Sequence, residues 1–157
     1  MAFIDVITLA QAKEYLRVDD DLTEDNASIT IMINTALKYV EDYTNVLVYA
    51  RNVNYRFING CKNVYTYPIN SAVSPVLADM TVKNYTLYTS YSYGSDNTVL
   101  TLNVGHLLPA DVPDDLRSVA LEMIDLLYYE HESGKSFPKD VSSLSKAILD
   151  QSKRFII

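Results

Sequence analysis

The most constraining pattern in the chain is a run of seven apolar residues in its last third. They recur at i, i+3, i+4, i+7, i+8, i+11 and i+12, a spacing that places them on one face of an α-helix. These residues are Leu116, Val119, Ala120, Met123, Ile124, Leu127 and Tyr128. Val112-Pro113-Asp114-Asp115 favours a helix start, because proline is tolerated in the first turn and carboxylates there complement the helix dipole. Ser133-Gly134-Lys135 ends the pattern, so we predict a long buried helix between these two signals.

A shorter helix is predicted near the beginning of the chain. Thr8 is suited to be its N-cap, because Gln11 three residues later completes a capping box. Ile7 before the cap and Ala12 after it favour a weak hydrophobic staple. The apolar side of this helix would consist of Leu9, Ala12 and Leu16.

A second helix is predicted to start at Asp25 or Asn26 and to end at Thr44-Asn45. Its apolar residues have the spacing of one buried face, and they are Ile29, Ile33, Ala36, Leu37 and Val40. Ile31 and Met32 fall outside that face. We therefore expect this pair to contact another element or another subunit.

A final amphipathic helix is predicted near the end of the chain. Its apolar positions would be Val141, Leu144, Ala147, Ile148 and Phe155. Between the early and late helices, residues 46–110 have the pattern of strands. Polar residues alternate with apolar or aromatic ones from Asn52 to Phe57, which is the period of a β-strand.

Turn signals divide this strand-rich segment. Asn59-Gly60 predicts a hairpin that returns at Val64–Tyr67. Gly94-Ser95-Asp96-Asn97 predicts another turn before a strand at Thr98–Val104. We expect four to six short antiparallel strands in all.

These patterns predict a single α+β domain over residues 1–157. It would be a small helical bundle of about four helices with an inserted antiparallel β-sheet or hairpin region. The N-terminal helices occupy 1–45, the strand-rich insertion 46–110, and the C-terminal helices and tail 111–157. The net charges of these segments are −6, +2 and −3, which together give the −7 of the chain. A chain of 157 residues suits one core that buries roughly 70% of the unfolded surface.

Composition excludes several function classes. Cys61 is the one cysteine, which rules out an internal disulfide, a CxxC redox pair and a cysteine-based zinc cluster. The net charge disfavours a phosphate-binding surface as the main role. No basic segment precedes an apolar run at the start, so we expect no secretory signal. No apolar run approaches the length of a membrane span, and we expect no contact with a membrane.

The residues that could carry catalysis form no recognisable site. His106 and His131 have no partner at a metal-binding spacing, and we expect structural or surface roles for both. The carboxylates between the first two helices lack the spacing and the glycine of an EF-hand, and they fit a solvated loop with helix caps. These carboxylates are Asp19, Asp20, Asp21, Glu24 and Asp25. We predict no enzyme activity, no catalytic residue, no metal site and no cofactor.

Two features of the sequence indicate interaction surfaces. Eight of the thirteen tyrosines lie in residues 46–110, and tyrosine is enriched at surfaces that become buried in complexes. Among them we expect Tyr85, Tyr88, Tyr91 and Tyr93 to contact another subunit or a partner, although some could pack the sheet instead. The chain closes with the apolar residues Phe155, Ile156 and Ile157, which would be buried either on the chain's own core or on a partner.

Three blocks of the sequence resemble the head–tail connector (adaptor) proteins of tailed bacteriophages. The first is ITLAQAKEYLRVD at 7–19, followed by the acidic loop and by VEDYTN at 40–45. The second runs from VPDDLR at 112–117 to LLYYEH at 126–131. The third is the trailing Phe137-Pro138, Val141 and Leu144. Their order around a strand-rich middle is more specific than any one block.

The resemblance implies a structural virion protein at the head–tail interface, made in the cytoplasm of the bacterial host. Relatives form a ring under the portal, commonly of twelve copies, which passes DNA through its channel without specific binding and contacts the next stopper, neck or tail protein. It also implies that the C-terminal segment docks on the portal, here through Lys153, Arg154, Phe155, Ile156 and Ile157. In such a ring the loop Asp19–Asp25 is our candidate for the channel wall, because carboxylates there would repel DNA.

Two other functions remain open from the sequence. The net charge of −7 without any catalytic motif also fits an acidic binding module, such as a small inhibitor or a DNA mimic. A hydrolase or metal-dependent enzyme built on the acidic cluster is the third hypothesis. Copurifying partners would separate the first two, and calorimetry with calcium, magnesium and manganese would test the third.

Overall fold

The computed structural model describes residues 2–56, 66–74, 81–83, 86–88, 99–133 and 141–153. Its α-helices are α1 (Phe3–Val6), α2 (Leu9–Leu16), α3 (Asn26–Thr44), α4 (Asp114–Ser133) and α5 (Ser143–Ser152). Its strands are β1 (Arg51–Arg56), β2 (Ile69–Ser74), β3 (Thr81–Lys83), β4 (Thr86–Tyr88) and β5 (Val99–Val104), and a 3₁₀ turn covers Pro109–Asp111. The predicted α+β class is confirmed. No helix in the described ranges is long and apolar enough to cross a membrane.

The capping box predicted at the start of α2 is present. The Thr8 hydroxyl accepts from the Gln11 backbone N–H at 3.2 Å, and the Gln11 side chain accepts from the Thr8 backbone N–H at 2.9 Å. The helix ends at Arg17, which adopts the left-handed conformation with φ 58°. The short helix α1 precedes this cap and was not predicted.

The core of the helical part lies between α3 and its neighbours. Helices α1, α2, α4 and α5 all pack against α3. The predicted faces of α3 and α4 are confirmed, since Ile33 and Ile124 are fully buried and the other apolar positions are buried or packed against the core. The C-cap of α3 is Asn45, which has φ 61° and therefore ends the helix in the left-handed conformation.

Helix α5 has the predicted position but a different inward face. Leu149 is fully buried and Ser145 is 4% exposed, whereas Leu144 is 70% exposed. The reason is the hydrogen bonding of the helix start. Glu122 on α4 accepts from the Ser142 backbone N–H at 2.9 Å and from the Ser145 hydroxyl, which turns this side of α5 towards α4 and turns Leu144 towards solvent.

Strand β5 lies at the centre of a three-stranded antiparallel sheet in the order β1-β5-β2. It pairs with β1 from Arg51 opposite Val104 to Arg56 opposite Val99. The strand predicted from the alternation that begins at Asn52 is therefore present as β1. Strand β5 buries Leu100, Leu102 and Val104 on one face. β3 and β4 form a separate antiparallel pair. The predicted turns at 59–60 and 94–97 lie outside the described residues.

Backbone hydrogen bonds join the segment after α3 to the sheet. Leu47 N–H donates to the Tyr67 carbonyl at 2.8 Å, and His106 N–H donates to the Leu47 carbonyl at 3.2 Å. Gly105 N–H donates to the Pro68 carbonyl at 2.7 Å. Gly105 has φ +112°, and a Cβ there would lie 2.2 Å from the Tyr49 carbonyl oxygen, so a glycine is required.

Candidate interaction surfaces

The acidic loop between α2 and α3 is organised by a buried lysine. Lys13 is 3% exposed, and its Nζ donates to the backbone carbonyls of Asp20 at 3.0 Å and Leu22 at 2.7 Å. Because the ammonium bonds to carbonyl oxygens, these contacts leave the loop carboxylates turned outward. The side chains of Asp19, Asp20, Asp21 and Glu24 are exposed. The loop therefore presents a fixed set of surface carboxylates.

Asp25 differs from the other carboxylates of this loop. It is half-buried, and its Oδ2 accepts from the Tyr128 hydroxyl at 2.9 Å. This hydrogen bond ties the start of α3 to α4. Within the described ranges, no group of three or more histidine, cysteine, aspartate or glutamate side chains is arranged to hold a metal ion.

The burial of Lys13 is not among the predictions from the sequence, although the position of this residue indicates it. It stands four residues after Leu9 and three before Leu16, and it therefore shares the apolar side of α2. A lysine at such a position is buried only when its charge is satisfied by hydrogen-bond acceptors. The following loop supplies them as main-chain carbonyls.

The pair Ile31 and Met32 on α3 is separated by the structure. Ile31 is 65% exposed, whereas Met32 is 8% exposed and belongs to the core cluster. Of the two expected contacts, Met32 therefore makes the one with other elements of its own subunit. Ile31 remains a candidate interface residue.

Ile31 belongs to a stripe along the outer side of α3. Thr35 and Tyr39 follow it at intervals of four residues, so the three side chains lie in one row. The Thr35 hydroxyl donates to the Ile31 carbonyl at 2.9 Å, which satisfies its hydrogen bonding within the helix. Tyr39 is 37% exposed. Beside this row, Lys38 and Asp42 form an exposed ion pair.

A groove of about 330 Å³ lies where α1, α2 and α4 meet. Its apolar lining comes from Val6, Ile7, Tyr15 and Leu121, and its polar lining comes from Gln11, Glu14 and Arg117. Tyr15 is 48% exposed in the groove. The Nε of Arg117 is buried and has no hydrogen-bond partner among the described residues. The Arg117 side chain is 24% exposed and its Nη1 lies 3.9 Å from the exposed Asp114, so the outer part of the guanidinium is accessible to a further carboxylate.

The C-terminal segment begins against α3. Lys153 places its Nζ 4.7 Å from the centre of the Tyr43 ring, and the Tyr43 hydroxyl donates to Asp150 Oδ1 at 2.6 Å. This hydrogen bond is the main reason why the pKa of Tyr43 is raised, with burial and the Asp150 charge adding to it. Of the five predicted docking residues, Lys153 is thus placed at the α3–α5 contact. Residues 154–157 lie outside the described part of the chain.

Of the four tyrosines predicted at an interface, only Tyr88 falls within the described residues, where it ends β4. Tyr85, Tyr91 and Tyr93 lie outside them. His106 is half-buried beside Gly105, and burial lowers the pKa of its imidazole despite the opposing charge of Asp111. Cys61 also lies outside the described residues.

Comparison with known proteins gives the family. A model of the phage gp6-like head–tail connector proteins matches residues 6–147. Two solved structures share the fold. One is described as the virion of a native gene transfer agent (GTA) particle, with a TM-score of 0.74 and 12% identity. The other is described as the neck of an empty GTA particle computed with C6 symmetry, with a TM-score of 0.72 and 11% identity.

Both structural matches cover 97% of this chain and 91% of the other chain. At this low identity they show the fold alone. No curated protein sequence matches the chain. The family match extends over nearly the whole sequence, from the last residue of α1 to the first half of α5. It includes the three blocks that carry the resemblance. The chain therefore belongs to the family of phage gp6-like head–tail connector proteins.

Proposed function

We propose that the chain is a structural virion protein that forms a ring at the neck, between head and tail, and works without catalysis. The observation that carries this proposal is the family match over residues 6–147, in a family described as head–tail connectors. The likeness to a chain from the neck of a GTA particle supports the same location. On this proposal the protein is made in the cytoplasm of a bacterial host and acts in the virion.

The ring is proposed to contain twelve copies. The similar neck structure is described with C6 symmetry, and a ring of twelve obeys sixfold symmetry. A closed ring needs two different faces on each subunit that meet head to tail. The exposed stripe of α3 and the groove between α1, α2 and α4 are two such faces.

We propose that the loop Asp19–Asp25 faces the channel. Carboxylates there would repel the phosphates of passing DNA, so that DNA moves through the ring without adhering. Lys13 supports this role, because it holds the loop by its backbone and leaves four carboxylates at the surface. The net charge of −7, repeated in every copy, adds to the repulsion.

Contacts above and below the ring are proposed at two further places. The C-terminal residues Lys153–Ile157 would dock on the portal, starting from the contact of Lys153 with Tyr43. The tyrosine-rich segment that contains β3 and β4 would contact the next stopper, neck or tail protein. Tyrosine suits this use because it combines a large apolar area with a polar end.

The ring is tested by mixing the purified protein with its portal and examining the particles by electron microscopy and native mass spectrometry. We expect a ring of connector subunits on the portal vertex. A chain that stays monomeric, never binds portal particles and is absent from purified virions would overturn the proposal.

The channel wall is tested by two variants of equal charge change. Asp19→Asn with Asp21→Asn changes the loop, whereas Asp114→Asn with Asp115→Asn changes two exposed carboxylates at the start of α4. Particles with the loop variant should release DNA more slowly than wild-type particles, and the α4 variant should not. Equal release by both variants would exclude the loop from the channel wall.

The acidic binding module rests on the net charge alone. A pull-down that recovers a basic enzyme or a nucleoid protein, with no virion protein, would favour it over the connector ring.

A further inference from the structure

We infer that the outer stripe of α3 in one subunit inserts into the groove between α1, α2 and α4 of the next subunit. We call the first surface, formed by Ile31, Thr35, Lys38, Tyr39 and Asp42, the α3 ridge. We call the second surface, lined by Val6, Ile7, Glu14, Tyr15, Arg117 and Leu121, the α2–α4 groove. This inference rests on the proposed ring and assigns its subunit interface.

The two surfaces lie on different faces of the subunit. The inward side of α3 is covered by α1, α2, α4 and α5, so the α3 ridge points away from those helices. The α2–α4 groove is lined by residues of α1, α2, α4 and the α1–α2 junction, and none of these residues comes from α3. A subunit with a projection on one face and a recess on another can associate head to tail, which is the requirement for a ring.

A row of side chains on one helix and a groove between helices are complementary in form. Ile31, Thr35 and Tyr39 form a row at intervals of four residues, the kind of ridge that packs into grooves between helices. Ile31 is 65% exposed, which is costly for an isoleucine that stays in water. The groove offers apolar side chains from Val6, Ile7 and Leu121 on its walls.

The charges also match. The α3 ridge carries Lys38 and Asp42 one turn apart, and they form an ion pair with each other at the surface. The groove carries one charge of each sign, Glu14 and Arg117. We place Asp42 against Arg117 and Lys38 against Glu14 of the neighbouring subunit.

Arg117 gives an independent reason for this pairing. Its Nε is buried without a hydrogen-bond partner among the described residues, and its Nη1 lies 3.9 Å from Asp114, a carboxylate whose side chain is 99% exposed. The other terminal nitrogen of Arg117, Nη2, donates to the Pro109 carbonyl. The Arg117 side chain is 24% exposed, so a carboxylate from the next subunit can reach Nη1 in place of this long contact with Asp114.

The first test compares Ile31→Asp with Leu144→Asp. Leu144 is a matched control, because it is 70% exposed on α5, outside both surfaces. Native mass spectrometry and sedimentation on portal particles should show that Ile31→Asp weakens subunit association at least about tenfold, as expected when an interface anchor is lost. Leu144→Asp should assemble as the wild type does. Circular dichroism and thermal unfolding of each variant exclude misfolding as the cause.

The second test mixes two defective variants. Ile31→Asp has a damaged ridge and an intact groove, whereas Tyr15→Asp has a damaged groove and an intact ridge. Each variant alone should stay monomeric. In an equal mixture, the intact ridge of Tyr15→Asp can bind the intact groove of Ile31→Asp. We therefore expect a heterodimer but no ring.

The outcomes separate this inference from the proposed function. If wild type forms rings and both variants form them equally well, the interface lies elsewhere and the ring stands. If the mixture gives no heterodimer, the pairing of ridge with groove is wrong. If wild type itself forms no ring on the portal, the proposed function fails and this interface fails with it.

Discussion

Arg51 on β1 donates to both carboxylate oxygens of Glu41 on α3, at 2.9 and 2.7 Å. Glu41 is 2% exposed, and one of its oxygens also accepts from the Val48 backbone N–H at 3.0 Å. The Arg51 guanidinium lies 4.9 Å from the centre of the Tyr49 ring. This pair fixes the sheet to the helix that carries the α3 ridge, and it therefore sets how the two parts of the subunit face a neighbour.

Replacing Arg51 by methionine should lower the free energy of unfolding by about 3 kcal/mol, because a buried carboxylate then lacks its counter-charge and Arg51 itself is 30% exposed. Lys38→Met, which breaks the exposed Lys38–Asp42 pair on the same helix, should cost less than about 0.5 kcal/mol. Glu41→Gln together with Arg51→Met should recover part of the loss. Urea unfolding measures all three, and equal losses for Arg51→Met and Lys38→Met would contradict the assignment.

Gly105→Ala should cost more than about 2 kcal/mol, because the added Cβ meets the Tyr49 carbonyl and the backbone has φ +112°. Arg17→Gly is the comparison, since Arg17 has φ 58° and glycine adopts that conformation without strain. We expect Arg17→Gly to be neutral or slightly stabilising. Thermal unfolding of both variants checks the prediction, and a Gly105→Ala protein as stable as wild type would refute it.

Local patterns predicted the helices well, because each depends on residues close in the chain. The Thr8–Gln11 box and the apolar face of α4 are of this kind. The order β1-β5-β2 could not be predicted from such patterns, because it pairs strands that are far apart in sequence. A regular alternation in β1 shows that a strand forms but not which strand lies beside it.

The interaction surfaces were predicted less well, since their burial depends on contacts between elements. Met32 falls outside the predicted apolar face of α3, yet it is 8% exposed and packs in the core. Leu144 was assigned to an inward face, yet hydrogen bonds from Ser142 and Ser145 to Glu122 rotate α5 away from that arrangement. The groove beside Arg117 involves three helices and leaves no pattern in any one of them.

Lys13→Met should loosen the acidic loop. Methionine keeps the apolar stem but removes the donor to the carbonyls of Asp20 and Leu22, so the two hydrogen bonds that hold the loop are lost. Hydrogen exchange at residues 19–25 should become faster. Lys146→Met, which changes an exposed lysine on α5, serves as the control and should leave this exchange unchanged. Unchanged exchange in Lys13→Met would show that the loop holds its shape without the lysine.

The docking of α5 should weaken in acid because of Glu122. Burial acts to raise the pKa of this carboxyl, but hydrogen bonds from Ser145 and Ser142 outweigh burial and hold the pKa below its ordinary value of 4.5. The unfolded chain therefore takes up a proton at higher pH than the folded chain. The stability that Glu122 contributes is complete above its ordinary pKa and is lost as the pH falls through the lower pKa of the folded state. Hydrogen exchange across α5, measured from pH 6 downward with a correction for intrinsic rates, should show this loss.

Glu122→Gln keeps the size of the side chain but cannot ionise, so its α5 should be less protected at neutral pH and should respond less to acid. A Glu122→Gln protein with the same acid response as wild type would assign the transition to another group.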